Sequence, residues 1–335
     1  MRRRNFIVGA AAAPTLATLT ASAATECGAA VVWKRLVPAP TPVPLLNGHT
    51  DTVPDIVGRL GTPIGLAIFT EGNHFPALLG GEIIEPFRAQ YAGLALENIV
   101  VVTLPQPVIV GMLIGGAIAL GNLTLEVSRA SGFYPDIVMG GAAPLTELRE
   151  AGIVAAEARV FARNRGLSLL VAAGNPLDVE SLDDLTRPGI RIVMASESEP
   201  GARRQYISAL ETLLGAGATK SILGRETLSF PGRLGIQHRD VLQAIASRKA
   251  DVGIIFHHLA RYFAAAYPEL CAMVTAPPAE EFSSTIAMVS AIDPPRALAA
   301  EAFSTFFLEA AREVYPRYGF AMMDEAEFGK TIRLE

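Results

Sequence analysis

From Pro63 onward the chain alternates short, wholly apolar runs with stretches whose apolar residues recur at helical spacing. This alternation constrains the fold more than any other feature. PIGLAIFT (63–70), NIVVVTLP (98–105), DIVMGG (136–141), EARVFAR (157–163), LSLLVAAG (167–174), IRIVMAS (190–196) and DVGIIF (251–256) read as strands, with further strands around Val274 and Ile286. Between them, residues 73–93 read as one helix with Phe75, Leu78, Leu79, Ile83, Ile84 and Phe87 on one face. Val108–Gly121, residues 143–153, 200–217 and 238–250, and Pro295–Val314 also read as helices, and 178–189 as a short one with an acidic first turn. Strands alternating with helices predict α/β layers with mostly parallel sheets and right-handed crossovers. In such sheets ligands bind where strand ends meet helix starts, so the loops that follow strands are the candidate site. No glycine fingerprint for a dinucleotide follows the first strand and no P-loop is present, so neither nucleotide fold has local support.

The 335 residues suffice for two ordinary domains, and half of them are hydrophobic. A net charge of −5 provides no basic footprint for nucleic acid. The opening MRRRNFIVGAAAAPTLATLTASAA has a charged start, a modest apolar run and small residues near Ala23. It predicts a cleaved export signal over 1–24, of twin-arginine or ordinary secretory type, and a mature protein in the periplasm. Residues 25–62 are proline-rich and read as an extended lead-in. Val108–Gly121 is too short and glycine-rich for a membrane span. The two cysteines, Cys27 and Cys271, have no zinc spacing. They either bridge in an oxidising compartment or stay apart.

Five strand-end loops carry chemistry. TEGNHF places Glu71, Gly72, Asn73 and His74 after the first strand, with Asn73 a favoured helix cap. It reads either as a ligand loop or as a plain capped helix. TLPQP offers the Thr103 hydroxyl and the Gln106 amide, or is simply a proline turn. Gly140 and Gly141 allow close backbone approach. ASESEPGARRQY brings Ser196, Ser198, Pro200, Gly201, Ala202, Arg203 and Arg204 to a helix start, where cations oppose the helix dipole. They serve an anion, pair with Glu197 or Glu199, or face solvent. QHRD sets His238, Arg239 and Asp240 at another helix mouth, with Asp240 capping the helix or orienting Arg239. His257 and His258 follow the 251–256 strand, but adjacent histidines without convergent ligands do not make a metal site. Neither a nucleophile elbow nor a zinc-protease helix motif is present; an acid–base pair of Glu71 with His74 or His238 is the enzyme alternative.

PDIVMGGAAPLTELREAGIV, VFARNRGLSLLVAAGNPLDVESLDDLTRPGIRIVMASESEPGARRQYISALETL, VLQAIASRKADVGIIF and the closing RYGF together resemble the periplasmic molybdate-binding proteins of ABC importers. The likeness runs from Ile64 to Phe320 and implies a two-lobed type II periplasmic binding fold, with mixed sheets flanked by helices and a two-strand hinge. It further implies lobe 1 over 63–162 plus 275–321, lobe 2 over 163–274, and a tail over 322–335. By the same resemblance a tetrahedral oxyanion of the molybdate or tungstate type is gripped at Gly72–Asn73, Thr103–Gln106, Pro200–Ala202, His238 and Phe256. The implied role is a monomeric receptor that delivers its anion to an ABC permease without cofactor, metal, nucleic acid or membrane span. A small carboxylate or other organic ligand, and a sensing role, are the alternatives. This chain departs from the family pattern in two places. Its first loop carries Glu71 in place of hydroxyl-bearing serines, and Phe256 stands where the family has a tyrosine.

Overall fold

The computed structural model describes residues 31, 33, 35, 56–120, 123–230, 235–275 and 285–335. The expected export signal, Cys27 and most of the lead-in lie outside these residues. The chain enters lobe 1 with β1 (Ile56–Val57), β2 (Leu66–Thr70), α1 (Phe75–Leu79), α2 (Ile84–Gln90), β3 (Ile99–Val102) and α3 (Gln106–Gly115). The hairpin β4 (Ala117–Leu120) and β5 (Leu123–Glu126) follows, then β6 (Ile137–Gly140), α4 (Ala142–Glu150) and β7 (Glu157–Arg163). Lobe 2 holds β8 (Leu167–Ala172), β9 (Ile192–Val193), α5 (Pro200–Leu214), α6 (Ala216–Leu223), α7 (His238–Ala246), β10 (Val252–Phe256), α8 (His257–Ala266) and β11 (Cys271–Val274). The chain then returns to lobe 1 for β12 (Thr285–Ser290), α9 (Ala297–Arg317) and β13 (Thr331–Arg333).

Lobe 1 is built on a seven-stranded sheet of order β1-β3-β2-β6-β12-β7-β13, and lobe 2 on a four-stranded sheet of order β11-β8-β10-β9. The apolar runs are continuous because both sheet faces are covered. In β2, Leu66 and Ile68 enter the core that includes Phe87, Phe303 and Phe307, whereas Ala67 and Phe69 enter the core with Met112, Leu113 and Leu145. Lobe 2 has its own core around Leu169, Tyr206, Ile254 and Phe263. Phe75 of α1 crosses into that core and meets Tyr262 edge-on at 5.1 Å. At the start of lobe 1's last helix, Asp136 is fully buried and accepts from Arg296 Nε at 2.6 Å and from the Ala67 amide at 2.8 Å.

The chain passes between the lobes twice, from β7 to β8 and from β11 to β12. Near the first passage the Arg163 carbonyl accepts from Ala321 N–H at 2.9 Å, and the Gly166 carbonyl from His257 N–H at 3.0 Å. Trp33 packs against both lobes: its ring lies 6.2 Å from Tyr262 of α8 and 5.2 Å from Tyr318, just past α9. Two residues on, Arg35 Nε donates to the Ala266 carbonyl at 2.7 Å.

The mixed, two-lobed architecture is as expected, but parallel pairing is its minor part. Among the described strands, β2 with β3, β2 with β6 and β9 with β10 are parallel. The pairings of β1 with β3, β6 and β7 with β12, β7 with β13, and β8 with β10 and β11 are antiparallel. The cause is the double passage, which returns β12 beside β6 and β7 against their direction. The helix expected over 73–93 is two helices, because Gly81 takes φ +102° and a Cβ on Gly80 would lie 2.1 Å from the Tyr318 hydroxyl oxygen. The helix expected over 108–121 stops at Gly115, where Gly116 turns left-handed at φ 70° and β4 begins. The lead-in ends in β1 and the tail in β13, which are opposite edges of one sheet.

Candidate functional site

The junction between the lobes is lined by strand ends, and their residues explain its electrostatics. On the lobe 1 side, the loop after β2 carries Glu71, Gly72 and Asn73. On the lobe 2 side stand the start of α7 and the end of β10. Arg239 spans the gap: it is 5% exposed, and its Nη2 donates to the Thr103 carbonyl of lobe 1 at 2.6 Å. A Cβ on Gly72 would lie 3.3 Å from the same nitrogen, so a side chain here would crowd the guanidinium. Burial lowers the Arg239 pKa to about 10, against a smaller opposing pull from Asp240. The group therefore remains a cation at neutral pH.

Glu71 is partly buried, and burial raises its pKa to about 7. A hydrogen bond with the Asn73 side chain and the charge of His238 pull it down, while Glu199 pushes it up. The Oδ1 of Asn73 is buried and has no hydrogen-bond partner.

His238 is held within lobe 2. Its Nδ1 contacts the Glu199 carboxylate, and its Nε2 lies 2.5 Å from the Tyr206 hydroxyl oxygen. That oxygen also accepts from the Phe256 amide at 3.0 Å. Phe256 is stacked between rings: His238 lies 4.9 Å away on one side and His258 5.6 Å away on the other. His258 in turn stacks on Phe320 of lobe 1 at 4.0 Å. The column His238–Phe256–His258–Phe320 therefore crosses the junction. His258 is 1% exposed and neither ring nitrogen makes a hydrogen bond of good geometry, although the Asn73 backbone stands close enough to act on the ring. Burial, then the neighbouring histidines, drive its pKa well below the ordinary value, so the ring is neutral.

Three expected site residues do other work. His74 is a core residue, fully buried, with Nε2 against the Thr70 hydroxyl and Nδ1 2.9 Å from the Tyr315 hydroxyl; burial lowers its pKa to about 3. It also takes the α1 cap position expected for Asn73, since the helix starts at Phe75. Arg203 is paired inside lobe 2, donating to both Glu226 oxygens at 2.6 and 2.9 Å with Glu197 at 3.0 Å. A carboxylate pair satisfies its planar fork. The Gln106 Oε1 accepts from the Gly141 amide at 3.2 Å, and a Cβ on Gly140 would lie 1.6 Å from Gln106 Nε2. Gln106 is thus a bracket between α3 and α4. Pro200, Gly201 and Ala202 form the first turn of α5, next to Glu199. Asp240 caps α7 by accepting from the Gln237 amide at 2.8 Å.

Sequence reading missed Tyr206 and Phe320, and it weighed Glu199 only as a partner for Arg203. Their roles depend on contacts between residues far apart in the chain, which no local pattern marks. His258 carried one signal: a histidine just after a buried apolar strand. Among the described residues no cluster of three or more histidine, cysteine or acidic side chains could hold a metal ion, and no helix is long and apolar enough to cross a membrane.

The model of the bacterial extracellular solute-binding protein family matches residues 66–321. Over 139 residues the chain is 28% identical to the molybdate-binding protein ModA of Mycobacterium bovis, covering 41% of this chain and 47% of that one. The chain thus spans about half the length of the curated relatives it matches. Among solved structures, the sulfate-binding protein SubI of Mycobacterium tuberculosis aligns with TM-score 0.56 and 18% identity, over 78% of this chain and 88% of that one. Peb3 of Campylobacter jejuni aligns with TM-score 0.52 and 13% identity, over 77% and 100%. At those identities the likeness is one of fold. The family match spans both lobes and every junction residue named above, from β2 to Phe320, and the chain belongs to the bacterial extracellular solute-binding protein family.

Proposed function

We propose that this chain is an exported receptor that traps a small anion between its two lobes and hands it to the permease of an ABC importer. The observation that carries this reading is Arg239, a buried cation that reaches from the α7 start in lobe 2 to a strand end of lobe 1. A buried guanidinium offers several N–H donors in one plane and favours anions over cations at such a place. Loop 71–73, Thr103, the first turn of α5 at Pro200–Ala202 and Phe256 complete the cleft in this reading. His238 positions Phe256 and Glu199 within it. Hinge closure about the two interlobe passages traps the ligand. The opening segment directs the protein to the periplasm by the twin-arginine route, where it acts as a monomer. Oxyanions of the molybdate and sulfate type are candidates because the relatives that match here are named for them. Small carboxylates are the alternative ligand class.

Calorimetric titration of the mature protein with molybdate, tungstate, sulfate, phosphate and small carboxylates tests the reading. One of these anions is expected to bind saturably, and Arg239→Met to abolish that binding. Absence of heat with every anion overturns it.

A further inference from the structure

Lobe 2 meets the junction with three chain ends that are remote in sequence: the start of α5, the start of α7 and the end of β10. Two joints hold them together. In the first, the Ser196 and Ser198 hydroxyls both donate to the Ile236 carbonyl, at 3.1 and 3.0 Å, and the Ile236 amide donates to Ser196 Oγ at 3.0 Å. The loop before α5 and the segment before α7 thus form one block. The second joint is Tyr206 of α5, which is 1% exposed. Strand β9 accompanies β10 only as far as Gly253. Beyond it the Phe256 amide donates to the Tyr206 hydroxyl oxygen at 3.0 Å. The same oxygen lies 2.5 Å from His238 Nε2, and His238 Nδ1 contacts the Glu199 carboxylate.

This chain of hydrogen bonds has one direction. In a neutral imidazole the nitrogen that faces a carboxylate must carry the hydrogen, because the alternative sets lone pair against lone pair. Nδ1–H of His238 therefore donates to Glu199, and Nε2 accepts from the Tyr206 O–H. The Tyr206 oxygen in turn accepts from the Phe256 N–H. On the receptor reading above, on which this inference rests, Phe256 lines the cleft and His238 positions it. We infer that Tyr206 is the positioning residue of the lobe 2 face: its hydroxyl sets Phe256 and His238 in the register that ligand binding requires, without touching the ligand. Removing the hydroxyl takes the acceptor from the Phe256 amide and the donor from His238 Nε2. The ring itself keeps its contacts with His238 at 5.7 Å and Phe256 at 5.1 Å. Phe256 belongs to the stacked column that ends on Phe320, so its displacement reaches both walls of the junction.

Lobe 1 supplies the control. Tyr315 is also 1% exposed, and its hydroxyl lies 2.9 Å from Nδ1 of the core residue His74. The experiment is calorimetric titration of the unaltered protein, Tyr206→Phe and Tyr315→Phe with molybdate, sulfate, phosphate and acetate, below the melting temperature of each. Tyr206→Phe is expected to weaken the tightest of these anions by about tenfold, the worth of one hydrogen bond that fixes a binding group. Tyr315→Phe is expected to leave that affinity unchanged. A hydroxyl that only supported the fold would lower the melting temperature and leave the affinity of the folded protein alone. Amide exchange provides a second measurement that needs no variant: without ligand, the Phe256 amide is expected to exchange as slowly as the β10 amides paired with β8. If Tyr206→Phe keeps full affinity, if Tyr315→Phe loses as much, or if the Phe256 amide exchanges as freely as an exposed loop, the inference is overturned and the receptor stands. If the unaltered protein binds none of the four anions, the receptor reading itself falls, and this inference with it.

Discussion

His74 of lobe 1 and His258 of lobe 2 are both withdrawn from water, and burial holds both imidazoles neutral. Their surroundings differ in one respect. His74 sits between the hydroxyls of Thr70 and Tyr315, one for each ring nitrogen. His258 sits between the faces of Phe256 and Phe320, with no well-formed hydrogen bond at either ring nitrogen. A buried polar group with its hydrogen bonds made is architecture, whereas one left without them is a cost the fold carries for another reason. On the receptor reading, that reason at the junction is a guest.

The comparison predicts effects of different size and kind. His74→Ala removes a core ring and strands the Tyr315 hydroxyl, and is expected to cost about 3–5 kcal/mol in chemical denaturation. Should His74→Ala leave stability intact, the claim that His74 is structural is broken. Arg239→Met is expected to weaken ligand binding by about 2–5 kcal/mol, measured by calorimetry. An unchanged affinity would move the site away from α7.

Acid should separate the groups by sign. His74 and His258 stay unprotonated when folded but protonate near pH 6.5 when unfolded, so each withdraws stability as pH falls below that value. Glu71 has the opposite sense: raised to about 7 from 4.5, it keeps its proton in the folded state and adds stability below that window. From these three groups, the unfolded chain binds one net proton more between about pH 4.5 and 6.5, and stability should fall on acidification by up to about 1.4 kcal/mol per unit. In His258→Phe the remaining histidine and Glu71 offset one another, and this slope should flatten.

The smallest effect is the most discriminating. His258→Phe keeps the stacked column but deletes the two poorly satisfied nitrogens. It is expected to raise unliganded stability by about 1 kcal/mol while lowering affinity by about tenfold. Loss of both together would make His258 a second His74.

The layered fold was readable from Pro63 onward because buried strands announce themselves as apolar runs, and β2, β3, β6, β8 and β10 fall inside the runs expected. Loop 71–73 and Arg239 were also visible, since the position of a strand end follows from the strand. What local reading could not supply was partnership. Arg203 looks available at a helix start until Glu226, 23 residues later, takes its fork. Phe320 reaches the site only because α9 returns it beside α8. The helix His257–Ala266 escaped because its two leading histidines drew attention as ligands and its apolar body follows the strand without a break. Pairing direction was misjudged for a topological reason: β12 is contiguous with neither β6 nor β7 in sequence.

Trp33 has a consequence for how the molecule is handled. Its indole is wedged between Tyr262 and Tyr318, one tyrosine belonging to each half, so swinging the halves apart means peeling the indole from at least one of them. On the receptor reading, Trp33 thereby acts as a brake on opening. An affinity tag fused just upstream of Trp33 loads that brake, whereas one placed after Glu335 leaves it alone; release rates measured on the two fusions should differ where their equilibrium folds do not.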